Sequence, residues 1–299
     1  MIMPFEQSVS IPGGTLHTLQ WAGPGGLAPH LIFAHATGMC AAIYAALLAP
    51  LSAQARITAY DARGHGGSLL PAEADQTPTD WHLYGDDLRA LAAALGGGPF
   101  LLAGHSMGAT SSFEAAVAHP GLATRMLLID PPFIPFDVAE SVRRMRDSGA
   151  PMANPMADRA VRRSAHFPSR AAARAAWAGR GVFAGWPDAA LDAYISGGLH
   201  DAADGGVSLA CTPAWEAATF RGISTTAQDS FRAARLPFAV LAAEHDSTVR
   251  AAEEAVIRAL HPEAPFYRVP GSGHFLPVTH PDAVREWLYG LISGAFPAR

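Results

Sequence analysis

The pentapeptide Gly104-His105-Ser106-Met107-Gly108 follows the apolar run Pro99-Phe100-Leu101-Leu102-Ala103 and precedes a helix-like segment, Ala109 to His119. A serine lifted on a tight strand-to-helix turn is a candidate nucleophile. Its backbone must bend at strained angles, and its neighbours must be small enough for the chain to reverse; glycines two before and two after supply that room. The turn also sets Ser106 beside a helix N-terminus, where unpaired N–H groups and the helix dipole favour developing negative charge.

A hydroxyl is a weak nucleophile at neutral pH and needs a base, for which imidazole has the nearest ordinary pKa. Of 13 histidines, His274 is the candidate base, in the small-residue loop Gly271-Ser272-Gly273-His274-Phe275 after the final strand pattern. His105, beside the serine, is expected to project away from it. His35 and His65 read as loop-fixing residues bonded to backbone, and His119, His261 and His280 each precede a proline at a helix boundary. His35, His65, His105 and His274 could also be gathered around a metal, but no H-x-x-H or C-x-x-C spacing supports that, and neither metal nor cofactor is expected.

A carboxylate must fix the imidazole tautomer and stabilise the imidazolium formed during attack. Three carboxylates stand at or just after strand patterns: Asp246 and Glu244, in Ala243-Glu244-His245-Asp246 after Phe238 to Ala242, and Asp130, ending Arg125 to Ile129.

These residues need a scaffold. Val9 to Trp21 alternates around Pro12-Gly13-Gly14 as a hairpin would. Buried-strand patterns follow at His30 to Ala34, Arg56 to Tyr60, Phe100 to Ala103, Arg125 to Ile129, Phe238 to Ala242 and Pro265 to Val269. Helical patterns lie between them at Ala41 to Ser52, Thr79 to Leu95, Ala109 to His119, Arg250 to Leu260 and Pro281 to Ser293. That alternation predicts a mostly parallel sheet with helices on both faces. Residues 131–235 contain no strong strand pattern but several helix starts, such as Asn154-Pro155 and Thr212-Pro213, and are expected to form a helical lid. The division is then 1–130 with 236–299 as core and 131–235 as cap. Trp177, Phe183, Trp186, Trp215 and Phe220 within it could serve lid-to-core packing, a substrate wall, or both.

With 49% hydrophobic and 16% charged residues in 299, the chain reads as a well-buried globular enzyme rather than a disordered or repeat protein. The net charge of −5, with no lysine, does not suggest nucleic-acid binding. Trp21 to Ala55 lacks Asp, Glu, Lys and Arg, yet Gly23, Pro24, Gly25, Gly26, Pro29, Gly38 and Pro50 interrupt any spanning helix. Met1 to Glu6 lacks a basic and apolar leader pattern, so a soluble cytoplasmic protein without a membrane partner is expected. Cys40 and Cys211 are read as buried thiols.

Four separated segments resemble the α/β-hydrolase superfamily in order: Leu31 to Gly38, Asp61-Ala62-Arg63-Gly64-His65-Gly66-Gly67-Ser68, Gly104 to Gly108, and Gly271 to Phe275. The likeness extends over nearly the whole chain outside the lid. It implies the chain order Ser106, Asp246, His274, since the family's acid usually follows the strand ending at Ala242; some members carry it where Asp130 stands. It also implies two oxyanion donors, the amides of Met107 and Thr37, although His35-Ala36 replaces the commoner His-Gly pair. The implied activity is a serine hydrolase cleaving esters of small or medium apolar acids through an acyl-enzyme. The lid aromatics, with Met152 and Met156, suit such a substrate. Lactone, amide and carbon–carbon bond hydrolysis use similar triads, and a non-catalytic receptor or a lyase could share the architecture. Haloalkane or epoxide chemistry is disfavoured, because those relatives place an aspartate where Ser106 stands.

Overall fold

The computed structural model describes residues 2–75, 80–150 and 152–297. Its strands are β1 (Phe5–Ile11), β2 (Gly14–Trp21), β3 (His30–Ala34), β4 (Arg56–Tyr60), β5 (Phe100–His105), β6 (Ala123–Ile129), β7 (His166–Phe167), β8 (Leu199–Asp201), β9 (Val207–Leu209), β10 (Phe238–Ala243) and β11 (Phe266–Val269). The α-helices are α1 (Ala45–Leu48), α2 (His82–Ala94), α3 (Met107–Ala118), α4 (Ala139–Asp147), α5 (Pro155–Val161), α6 (Arg170–Trp177), α7 (Asp188–Gly197), α8 (Pro213–Arg221), α9 (Ala227–Ala233), α10 (Ala251–Leu260), α11 (Leu276–Thr279) and α12 (Pro281–Ser293).

Eight strands form one sheet in the order β1-β2-β4-β3-β5-β6-β10-β11. The hairpin β1–β2 and the β2–β4 pair are antiparallel, and every other pairing is parallel. Parallel strands covered on both faces need apolar side chains pointing both ways. The runs Leu31-Ile32-Phe33 and Leu101-Leu102-Ala103 meet that need: Leu31, Phe33, Leu101 and Ala103 enter one core layer, and Ile32 and Leu102 the other. Each fully buried Leu or Phe contributes roughly 1.5–3 kcal/mol relative to leaving it in water. Because β5 lies at the centre of the sheet, its carboxyl end is fixed from both sides.

Two expectations need correction. The helical pattern Ala41 to Ser52 is not one helix but a 3-10 turn at Ala41–Tyr44, the short α1, and a second 3-10 turn at Ala49–Ala53. Pro50 has no N–H to continue an α-helix and clashes with the preceding turn. Residues 131–235 are also not wholly helical, since α4–α9 are joined by a small antiparallel sheet, β7-β9-β8. Strands of two or three residues are too short to show an alternating pattern in sequence. Thr79, at the start of the helical pattern now seen as α2, lies outside the described residues.

This interval is held against the loops that follow β3 and β4. Tyr194 Oη donates to the Gly38 carbonyl at 3.1 Å, Trp215 Nε1 to that of Arg63 at 3.1 Å, and the His200 ring to that of Gly66 at 2.6 Å. Cys40 and Cys211 are both free and buried. Among the described residues, no helix is long and apolar enough to cross a membrane.

Candidate active site

Ser106 stands between β5 and α3 with φ 57° and ψ −126°, a conformation that L-residues rarely hold. The flanking glycines make it possible. A Cβ on Gly104 would lie 2.5 Å from the Gly108 carbonyl carbon, and one on Gly108 would lie 2.4 Å from the Ala34 carbonyl oxygen. The Ser106 N–H donates to the Ile129 carbonyl at 2.9 Å, tying the turn to the end of β6.

His274 meets this serine from the loop after β11, its Nε2 3.1 Å from Ser106 Oγ. Its Nδ1 lies 2.6 Å from Asp130 Oδ2. A carboxylate only accepts, so Nδ1 carries the hydrogen and Nε2 is free to accept from the hydroxyl. Asp130 is wholly buried, at a positive φ of 43°. It also accepts from the Ala243 N–H at 2.9 Å, the Ser247 hydroxyl at 2.6 Å and the Thr248 N–H at 3.0 Å. Burial pushes its carboxyl up, but the His274 hydrogen bond and charge, with the Ser247 and Ala243 donors, outweigh that and hold it at about 2.

Asp246, preferred from sequence, is not the residue on His274. Its side chain is exposed, at a positive φ of 51°. The chain turns after it so that Ser247 and Thr248 point inward at Asp130. The loop after β10 thus supplies donors to the carboxylate rather than the carboxylate itself. Glu244 is also elsewhere: it accepts from the Gly271 N–H at 2.7 Å and so braces the histidine loop.

The loop after β3 is pinned by a reciprocal pair of imidazoles. His35 Nε2 accepts from the Ala62 N–H at 2.8 Å, and His65 Nε2 accepts from the Gly38 N–H at 3.0 Å, so the loops after β3 and β4 brace each other. Both roles require neutral rings. Burial lowers His35 and takes His65 down to about 3. Gly38 sits at φ +73° between these anchors, with Thr37 buried just before it. Met107 opens α3, where a helical N–H has no partner within the helix.

His105 is fully buried, and its ring centroid lies 4.9 Å from that of His274. Tyr44, which no motif marks in the sequence, lies 2.7 Å from His105 Nδ1. Among the described residues, no group of three or more His, Cys, Asp or Glu side chains is placed to hold a metal ion.

A ladder of aromatic rings from residues 131–235 reaches the histidine loop. Phe167 meets Trp177 at 4.9 Å, Trp177 meets Phe183 at 5.4 Å, Phe183 meets Trp186 at 5.1 Å, and Trp186 meets Phe275 at 5.2 Å. Trp215 and Phe220 pack elsewhere, in a different core layer and beside α5 respectively. Met156 is 55% exposed.

A family model described as the alpha/beta hydrolase family matches residues 31–287. The chain belongs to the alpha/beta hydrolase family. A relative from Mesorhizobium japonicum, named 2-(acetamidomethylene)succinate hydrolase, is 28% identical over 268 residues, 89% of each chain. An epoxide hydrolase from Caballeronia sordidicola is 33% identical over 146 residues, 48% of this chain and 42% of that one. Among solved structures, E-2-(acetamidomethylene)succinate hydrolase superposes with a TM-score of 0.78 at 26% identity, covering 97% of this chain and 99% of that one. The enol-lactonase from Burkholderia xenovorans gives a TM-score of 0.67 over 96% and 100%, and at 17% identity this likeness concerns the fold alone. These relatives support a hydrolase, and the family places it in an alpha/beta fold with a mostly parallel central sheet.

Proposed function

We propose that the chain is a serine hydrolase that cleaves a carboxylic ester of a small or medium apolar substrate through an acyl-enzyme, with Ser106 as nucleophile, His274 as base and Asp130 as the acid. The observation that carries this reading is the continuous contact Asp130–His274–Ser106, at 2.6 and 3.1 Å. In the first step the Ser106 hydroxyl attacks the ester carbonyl while its proton passes to His274 Nε2; the imidazolium is stabilised by Asp130, which stays ionised. The amides of Thr37 and Met107 receive the oxyanion in this reading. Collapse expels the alcohol, which takes the proton from His274. Water, deprotonated by the same imidazole, then releases the acid and restores Ser106.

Residues 131–235 act as a cap in this account. Their aromatic ladder ends beside His274 and supplies an apolar wall for the substrate. The test is hydrolysis of p-nitrophenyl esters of rising chain length, with lactones and diketones in parallel and Ser106→Ala as control. Preference for apolar esters supports the assignment, and preference for charged or peptide substrates opposes it.

A second reading is hydrolysis at an acylated nitrogen. It is favoured by the relative that shares 89% of its length and whose named substrate carries an acetamido group. The same serine chemistry serves an amide, so an N-acyl enamine in the panel separates the two readings.

A further inference from the structure

Two fully buried side chains beside the reacting groups, Tyr44 and His105, take no part in proton transfer from Ser106. Their hydrogen bonds are oriented by the chemistry of their partners. His105 Nε2 lies 2.8 Å from the carbonyl oxygen of His274, which can only accept, so Nε2 carries the ring hydrogen. Burial, reinforced by the neighbouring His274, lowers the His105 imidazole to about 3, which leaves Nδ1 bare. Tyr44 Oη, 2.7 Å from that Nδ1, must therefore be the donor, and burial raises its phenol further from ionisation. The same oxygen is then free to accept the Ala36 N–H at 3.3 Å.

The result is a single directed chain, Ala36 N–H to Tyr44, Tyr44 to His105, His105 to the His274 carbonyl. Each end matters. Ala36 precedes Thr37 in the loop after β3, His105 precedes Ser106, and His274 is the base's own residue. We propose that Tyr44 and His105 are positioning residues that hold the loop after β3 and the histidine loop in register about Ser106. The inference rests on the serine-hydrolase reading. Displacement of a reacting group by about 1 Å can lower a rate by roughly 10², so a neutral relay remote from the proton path still governs turnover.

Tyr44→Phe keeps the ring packed on Phe33, whose centroid is 4.7 Å away, and removes only the oxygen. It leaves the Ala36 N–H and His105 Nδ1 unpaired. The rate of covalent labelling of Ser106 by a fluorophosphonate should fall about tenfold, as for one or two lost buried hydrogen bonds. For an ester substrate, kcat should fall alike with KM within about two-fold, because the groups displaced act in the transition state. His105→Ala should lose about 10². His105→Gln should recover most of it, since its amide can donate to His274 and accept from Tyr44.

Nitrogen NMR of the folded wild-type protein gives a readout independent of activity: His105 should be the Nε2-protonated tautomer, and its Nδ1 signal should move in Tyr44→Phe. Absence of wild-type labelling at Ser106 would overturn the serine-hydrolase reading itself. Normal wild-type labelling with unchanged rates in Tyr44→Phe and His105→Ala, or an Nδ1-protonated His105, would overturn the relay alone.

Discussion

Asp130 Oδ2 lies 2.6 Å from His274 Nδ1 although 144 residues separate them in the chain. The contact bridges one strand, because Asp130 follows β6 and His274 follows β11, with β10 between them. Ser247, Thr248 and Ala243, at and after the end of β10, fill that gap by donating to Asp130. The carboxylate is thereby held by donors on one side and the imidazole on the other.

The first prediction separates the two aspartates. Asp130→Asn should lower kcat by about 10⁴, because an amide can stabilise the wrong imidazole tautomer while keeping the geometry. Asp246→Asn should leave it within about two-fold, as expected of an exposed side chain off the contact chain. Steady-state rates of both variants on one ester decide it.

Ser106→Ala and His274→Ala should each reduce turnover by about 10⁶, and the double variant scarcely more, since groups that act as a unit are not additive. Near-additive losses measured on the same ester would show that the two side chains act independently.

The glycines of the serine turn give a stability prediction. Gly108→Ala sets a methyl 2.4 Å from the Ala34 carbonyl oxygen, and Gly104→Ala one 2.5 Å from the Gly108 carbonyl carbon. Backbone must move in both cases, and a loss of about 1–3 kcal/mol is expected from overpacking alone. Urea unfolding should show a lower midpoint for each, whereas Gly25→Ala, which meets nothing within 4 Å but is strained at φ +82°, should lose less.

Acid unfolding should report Asp130. Its folded pKa of about 2 lies below the ordinary 3.8, so the unfolded chain binds the proton first as pH falls. The contribution is fully present above about pH 4 and is lost as pH falls through about 2. Asp130→Asn should remove that part of the pH dependence of unfolding between pH 4 and pH 2, while being less stable at neutral pH.

The serine turn and the histidine loop were legible because each is local: Gly104 and Gly108 bracket Ser106 within five residues, and Gly271 and Gly273 surround Ser272 just before His274. The apolar strand runs were legible for the same reason. Choice of the acid was not local. Asp130 and Asp246 both stand near strand ends, and which one faces the imidazole depends on how residues 244–248 turn. Ser247 directs its hydroxyl inward and leaves Asp246 outside. Tyr44 was still less visible, since its partners Ala36 and His105 are assembled only by the sheet. The short strands β7–β9 depend on one another rather than on any alternating run.

In the proposed reaction Ser106 becomes acylated with His274 as its base. Rapid quenching of the protein with a p-nitrophenyl ester, followed by intact-mass measurement, tests it directly. The mass should rise by that of the acyl group, located on Ser106, and should not rise in Ser106→Ala. Turnover without any adduct, and retained in Ser106→Ala, would contradict it.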